Sequence, residues 1–77
     1  MDIALTVGMV CNSLGVFATI TNRRNKWWFS VSEEDWSKEL RDKLEYYICS
    51  SRVLIEVMLV NHYSVDRVMF RFYIKSK

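Results

Sequence analysis

Residues 3–22 read IALTVGMVCNSLGVFATITN, twenty positions without a charge, and their conformation decides the fold. A helix that crosses a bilayer needs about twenty mainly apolar residues. Coiled as one helix, Ile3 to Ile20 rises roughly 27 Å, close to the hydrocarbon thickness. The flank agrees, because Arg23, Arg24 and Lys26 follow, and Trp27 and Trp28 come directly after them. Basic residues hold their end of a span in the cytoplasm, and Trp favours the membrane interface. The leading expectation is a single transmembrane helix over 3–22, with the N-terminus outside and the C-terminus cytoplasmic. A basic-aromatic juxtamembrane segment over 23–28 would then touch anionic lipid.

Within that helix Ala4, Gly8, Cys11, Gly15 and Ala18 recur at spacings of four and three, which places them on one face. Such a seam of small residues lets two helices approach closely in lipid and predicts self-association. A cleavable signal peptide is not expected, since Asp2 stands where one carries positive charge. The alternative is a soluble β-hairpin. Val, Thr, Ile and Phe favour strands, and Ala4–Val10 can pair with Gly15–Thr21 through a turn at residues 11–14. Hydropathy and the basic flank together favour the span.

Beyond the stretch the periods change. Lys26–Ser32, KWWFSVS, alternates as a short strand. Ser32 before Glu33, Glu34 and Asp35 predicts a helix start, with acids against the positive end of the helix dipole. Trp36, Leu40, Leu44, Tyr47 and Ile48 form one apolar stripe, so a helix is expected from Glu33 to about Ser50. Glu34–Lys38 and Glu39–Lys43 are its expected ion pairs. Val53–Val60 and Val68–Lys75 read as strands joined by a loop over Asn61–Arg67. The fold class is therefore α+β: the N-terminal apolar segment, then a small β-α-β-β interaction domain over 29–77 with an antiparallel hairpin. Glu56 interrupts an apolar strand. It either lies on an open face with Leu54 and Met58 or pairs with Arg71 across the hairpin.

Composition narrows the chemistry. Of 77 residues, 51% are apolar and 26% charged, which excludes a disordered charged tail. Two Gly and no Pro exclude a glycine-rich phosphate loop and proline-rich linkers. Two Cys and one His cannot by themselves complete a four-ligand zinc site, so no metal or cofactor is expected. His62 has Ser64 and Asp66 nearby in sequence but no triad pattern, and no catalytic residue is assigned. Cys11 and Cys49 read as reduced packing residues.

The best surface feature is the last strand, where Arg67, Met69, Arg71, Tyr73, Lys75 and Lys77 share a face. Arg67, Arg71, Tyr73 and Lys75 are its candidate binding residues, since bases around an aromatic hold phosphates and stack on a nucleobase. A solvated face with an edge guarded by Lys and Arg reads the same way. The expected function is a small non-enzymatic, membrane-anchored interaction or regulatory protein, acting through a protein partner or self-association. The alternative is a soluble α+β binding module that inhibits or regulates a larger protein or contacts nucleic acid, the less favoured partner. In architecture alone, a short span with a tiny α+β unit resembles many small phage-encoded and bacterial membrane proteins.

Overall fold

In the computed structural model, which describes residues 2–76, Gly15 cuts the uncharged stretch in two. Helix α1 runs only over Ile3–Ser13, eleven residues, or roughly 16 Å. The Asp2 carboxylate caps its start, accepting from the Leu5 N–H at 3.1 Å. Its end is a Schellman motif: the Gly15 N–H donates to the Asn12 carbonyl (3.1 Å) and the Val16 N–H to the Cys11 carbonyl (2.9 Å). Gly15 has φ +69°, a left-handed conformation that side chains disfavour.

After Gly15 the chain turns into β1 (Thr19–Arg23). No helix among the described residues is long and apolar enough to cross a membrane. The expected span over 3–22 is therefore a helix, a turn and a strand, and the alternative hairpin within that stretch does not form either. The small-residue seam dissolves with it. Cys11 is buried, Ala4 and Gly8 are exposed, and Gly15 and Ala18 lie outside the helix.

Strand β2 (Lys26–Ser32) pairs antiparallel with β1 through the two-residue turn Arg24-Asn25. A single 3-10 turn (Glu33–Asp35) leads to helix α2 (Lys38–Ile48). The helix starts later than expected because Trp36 is extended (ψ 112°) and Ser37, not Ser32, supplies the cap, accepting from the Leu40 N–H at 3.1 Å. The Ser32 hydroxyl donates instead to Asp35 at 3.0 Å. Glu34 consequently sits before the helix, out of line with Lys38. The i,i+4 pairs formed are Lys38–Asp42 and Arg41–Glu45, each 2.8 Å.

Strands β3 (Val53–His62) and β4 (Val65–Ile74) form the expected hairpin. Its connection is shorter than expected, because Tyr63 and Ser64 alone make the turn, at φ +51° and +65°. Two left-handed residues match the right-handed twist of the flanking strands. The sheet order is β1-β2-β4-β3, antiparallel throughout. β2 and β3 are thus parallel to each other with β4 inserted between them, a split β-α-β crossover through α2.

Both helices cover one face of the sheet. Val7, Val10 and Cys11 of α1 and Leu40, Leu44 and Ile48 of α2 close over Phe29, Val31, Val68 and Phe70. Tyr47, expected in this stripe, is 54% exposed, because Leu40, Leu44 and Ile48 make the buried line of α2 and Tyr47 lies to its side.

Gly15→Ala leaves open space around the new methyl group but forces it into the left-handed region. It should cost about 1–2 kcal/mol, read as a lower urea midpoint with an unchanged slope. Ser64→Gly relieves the same strain at the β3–β4 turn and should raise stability by about 1 kcal/mol in the same titration.

Candidate binding face

Strand alternation sends Phe29 and Val31 to the helices and Trp28 and Ser30 to the opposite, open face of the sheet. Register extends that face across the sheet. Thr19, Thr21 and Arg23 stand opposite Ser30, Trp28 and Lys26, and Met69 stands between Ser30 and Met58. Trp28, Ser30 and Met69 are buried, although no helix covers them, because arginine side chains lie over them.

Arg67 reaches from β4 to β2, donating from Nε to the Ser30 hydroxyl (2.6 Å) and from its terminal nitrogen to the Ser30 carbonyl (3.2 Å). Arg71 donates from Nε to Glu56 at 2.8 Å. Its guanidinium lies 5.6 Å from the Trp28 ring and 5.0 Å from the Tyr73 ring. At those distances the ring quadrupoles attract the cation. Glu56 is exposed on the open face with Leu54 and Met58, and it pairs with Arg71 without being buried. Arg23 comes in from β1, with its terminal nitrogen 3.9 Å from the Met69 sulfur.

Arg23 and Arg67 border a cleft of about 520 Å³, lined among others by Thr19, Thr21, Ser30 and His62. A smaller hollow of about 180 Å³ beside it is lined by Arg23, Arg24, Lys26, Trp28, Glu56 and Met58. Among the described residues no carboxylate lies within 4.0 Å of the side-chain nitrogens of Arg23, Arg24, Lys26 or Arg67. The one acid described on this face, Glu56, pairs with Arg71 rather than with these cations. Most of the other acids lie elsewhere. Residues 33–45, the 3-10 turn and most of α2, hold six acids and three bases.

The structure joins two groups that the sequence places apart. Arg67, Arg71 and Tyr73 share the face as their spacing predicts. Lys75 lies beyond the end of β4, near Ser51 and Arg52, away from the cleft. Lys77 is outside the described residues. The segment expected at a membrane interface is instead the β1–β2 hairpin, and its two Trp side chains part. Trp28 is buried on the open face, whereas Trp27 is 66% exposed on the other face of the strand. Ser30, Thr19 and Thr21 were not expected in a site, and Arg23 was expected at a membrane interface rather than on a sheet face. Their signal is the alternation of residues 19–32 about the Arg24-Asn25 turn, which lacks the glycine that usually marks such a turn.

His62 is not in a loop but ends β3, its ring 4.3 Å from that of Tyr63. Asp66 pairs with Asn61, accepting from its side-chain amide at 2.7 Å, and alternation turns it to the face opposite His62. Among the described residues no three His, Cys, Asp or Glu side chains converge into a metal-sized cluster. Cys11 and Cys49 are not bonded to each other. Burial raises the pKa of both thiols, and near Cys49 the Glu45 carboxylate adds to the rise while Arg41 opposes it. No known family, curated protein or solved structure matches the chain.

The raised Cys11 pKa gives a pH dependence with a definite sign. Above its ordinary value of 9.0 the folded chain keeps a proton that the unfolded chain releases. Stability from this group is therefore complete below pH 9.0 and lost as the pH rises above it. Cys11→Ala should flatten the alkaline decline in melting temperature relative to the wild-type chain, measured by circular dichroism between about pH 8 and 10.5.

Proposed function

We propose that this protein is a non-enzymatic binding module that holds the backbone of a single-stranded nucleic acid on the open face of its sheet. The reading rests on one observation. Arg23 from β1, Lys26 from β2 and Arg67 from β4 converge on one face beside Trp28 and Tyr73, with no carboxylate partner among the described residues. Arg24 at the adjoining turn adds a fourth cation.

Phosphates suit this arrangement because the guanidinium forks on the face can bind them in bidentate fashion. Hydroxyls of Thr19, Thr21 and Ser30 in the cleft supply neutral hydrogen-bonding groups beside them. The Tyr73 ring, with one face against Arg71, is the aromatic on this face for a base to stack on. A duplex groove is usually entered by a helix or a projecting ribbon. Here α2 carries three acids and three bases and is neutral overall, so the cationic surface that phosphates meet is the sheet.

A fluorescein-labelled twelve-nucleotide oligothymidylate provides the test, read by anisotropy across a salt series. Four phosphate contacts should give a slope of log K against log salt of about −3. Arg23→Ala and Lys26→Ala should each make that slope shallower by about 0.7 and leave circular dichroism unchanged, while Lys38→Ala on the helix layer should have no effect on binding. Absence of binding at about 20 mM salt, or slopes indifferent to Arg23 and Lys26, overturns the proposal.

A further inference from the structure

The two edges of the sheet are built differently. β1 is a five-residue edge, TITNR, ending in a charge and followed by Arg24. Short, polar, charged strands are how proteins keep an edge from recruiting another chain. β3 is a ten-residue edge, VLIEVMLVNH, with no Pro. Its register with β4 runs from Val53↔Ile74 to His62↔Val65 without a bulge. Its one acid, Glu56, is turned inward to Arg71. Leu59 is 64% exposed, and Ile55 and Val57 are half-buried.

The hydrogen-bond pattern identifies which backbone groups stand open. His62 and Val65 flank a two-residue turn, and the Arg52 carbonyl accepts from the Lys75 N–H at 2.7 Å. Even-numbered residues of β3 therefore bond to β4, and odd-numbered ones turn outward. At Val53 the outward groups are already taken, the N–H by the Ser50 hydroxyl (3.1 Å) and the carbonyl by the Ser50 N–H (2.9 Å). Ile55, Val57, Leu59 and Asn61 keep an outward N–H and carbonyl with no partner among the described residues.

We propose that β3 pairs antiparallel with β3 of a second copy of this chain, about a two-fold axis at Met58. The register follows from the open groups. Antiparallel hydrogen-bonded pairs here must join odd-numbered residues. With the axis at Met58, Ile55 meets Asn61 and Val57 meets Leu59 of the second copy, so every open donor and acceptor is used. An axis at Val57 sets Asn61 against Val53, which is already bonded to Ser50. An axis at Leu59 sets Ile55 against Tyr63, which is in the turn.

Side chains agree with that register. Leu59 gains Val57 of the second copy beside it, and Met58 meets its own counterpart. Each Glu56 faces an apolar Val60 and keeps its Arg71 partner, so no like charges meet. The product is one eight-stranded sheet, with a cleft on either side of the new seam because Val60, Asn61 and His62 line both. The pairing is independent of what the clefts bind.

Sedimentation velocity at about 100 µM tests the mass, since dimer population follows concentration. The expected mass is twice the 9.2 kDa of one chain. Leu59→Pro removes an outward N–H that β4 does not use and should give a folded monomer. Leu59→Lys, whose side chain meets solvent in the monomer, should also shift the equilibrium at least tenfold toward monomer, and it serves if the proline variant fails to fold. The register is tested in a Cys49→Ser background. Met58→Cys should cross-link under mild oxidation, because directly opposed non-hydrogen-bonded residues lie about 4.5 Å apart, within disulfide reach, whereas Val60→Cys should not. A wild-type monomer at that concentration, a dimer that survives both Leu59 variants, or cross-linking at residue 60 but not 58 each overturns the proposal.

Discussion

Phe70 is fully buried and stacks on Phe29, with ring centroids 5.5 Å apart, and this contact fastens one hairpin to the other. Trp36 closes over the same ring at 5.3 Å, tying the approach to α2 into the joint. Each fully buried Phe is worth roughly 1.5–3 kcal/mol of apolar burial, and the aromatic stacking adds to it. The consequence reaches through the sheet. Because side chains alternate, the pairing that stacks Phe70 on Phe29 also puts Met69 opposite Ser30 on the reverse face. It thereby lays Arg67 across Ser30 and Arg71 over Trp28. An apolar contact on the helix side thus assembles a cationic surface on the other.

The molecule is electrically two-sided for the same reason. Its acids are concentrated in one covalent segment, residues 33–45, and that segment forms the cover of the core. Eight of its eleven bases lie on either side of that segment in sequence, and the fold brings Arg23, Lys26, Arg67 and Arg71 together on the sheet. Net charge is only +2, so the total conceals the asymmetry. Fields of this kind orient an approaching charged molecule before contact.

How much could be read in advance depended on the range of the interaction. The β3–β4 hairpin was legible from its two strands and the Glu56–Arg71 pair as one of two alternatives, whereas the two-residue turn was not, because polar residues 61–67 read as loop although most of them continue the strands. Helix α2 was legible, but its first turn was not. Ser32 and Ser37 both precede acids, and the choice belongs to Trp36, which leaves the helical conformation to reach Phe70. Hydropathy reads 3–20 as a span because it sums composition, whereas one left-handed residue, Gly15, divides the stretch. Gly followed by an apolar residue after a helical run is a Schellman signal, so the break was present in local sequence. The cationic face was not legible as a unit. It needs Phe29 to pair with Phe70, and no local rule selects a partner that distant in the chain.

The strand order also bears on how the chain is made. β4, the last strand in sequence, occupies an interior position between β2 and β3. While a ribosome extends the chain, the β1–β2 hairpin and α2 can emerge and close locally, yet β2 has no neighbour on its second side. β3 leaves the ribosome before its only neighbour does, carrying an apolar strand with both edges unpaired. The sheet can be completed only after residues 65–74 are out. The sheet is therefore completed by an insertion, and the interval before it is when this chain is most exposed to wrong pairing.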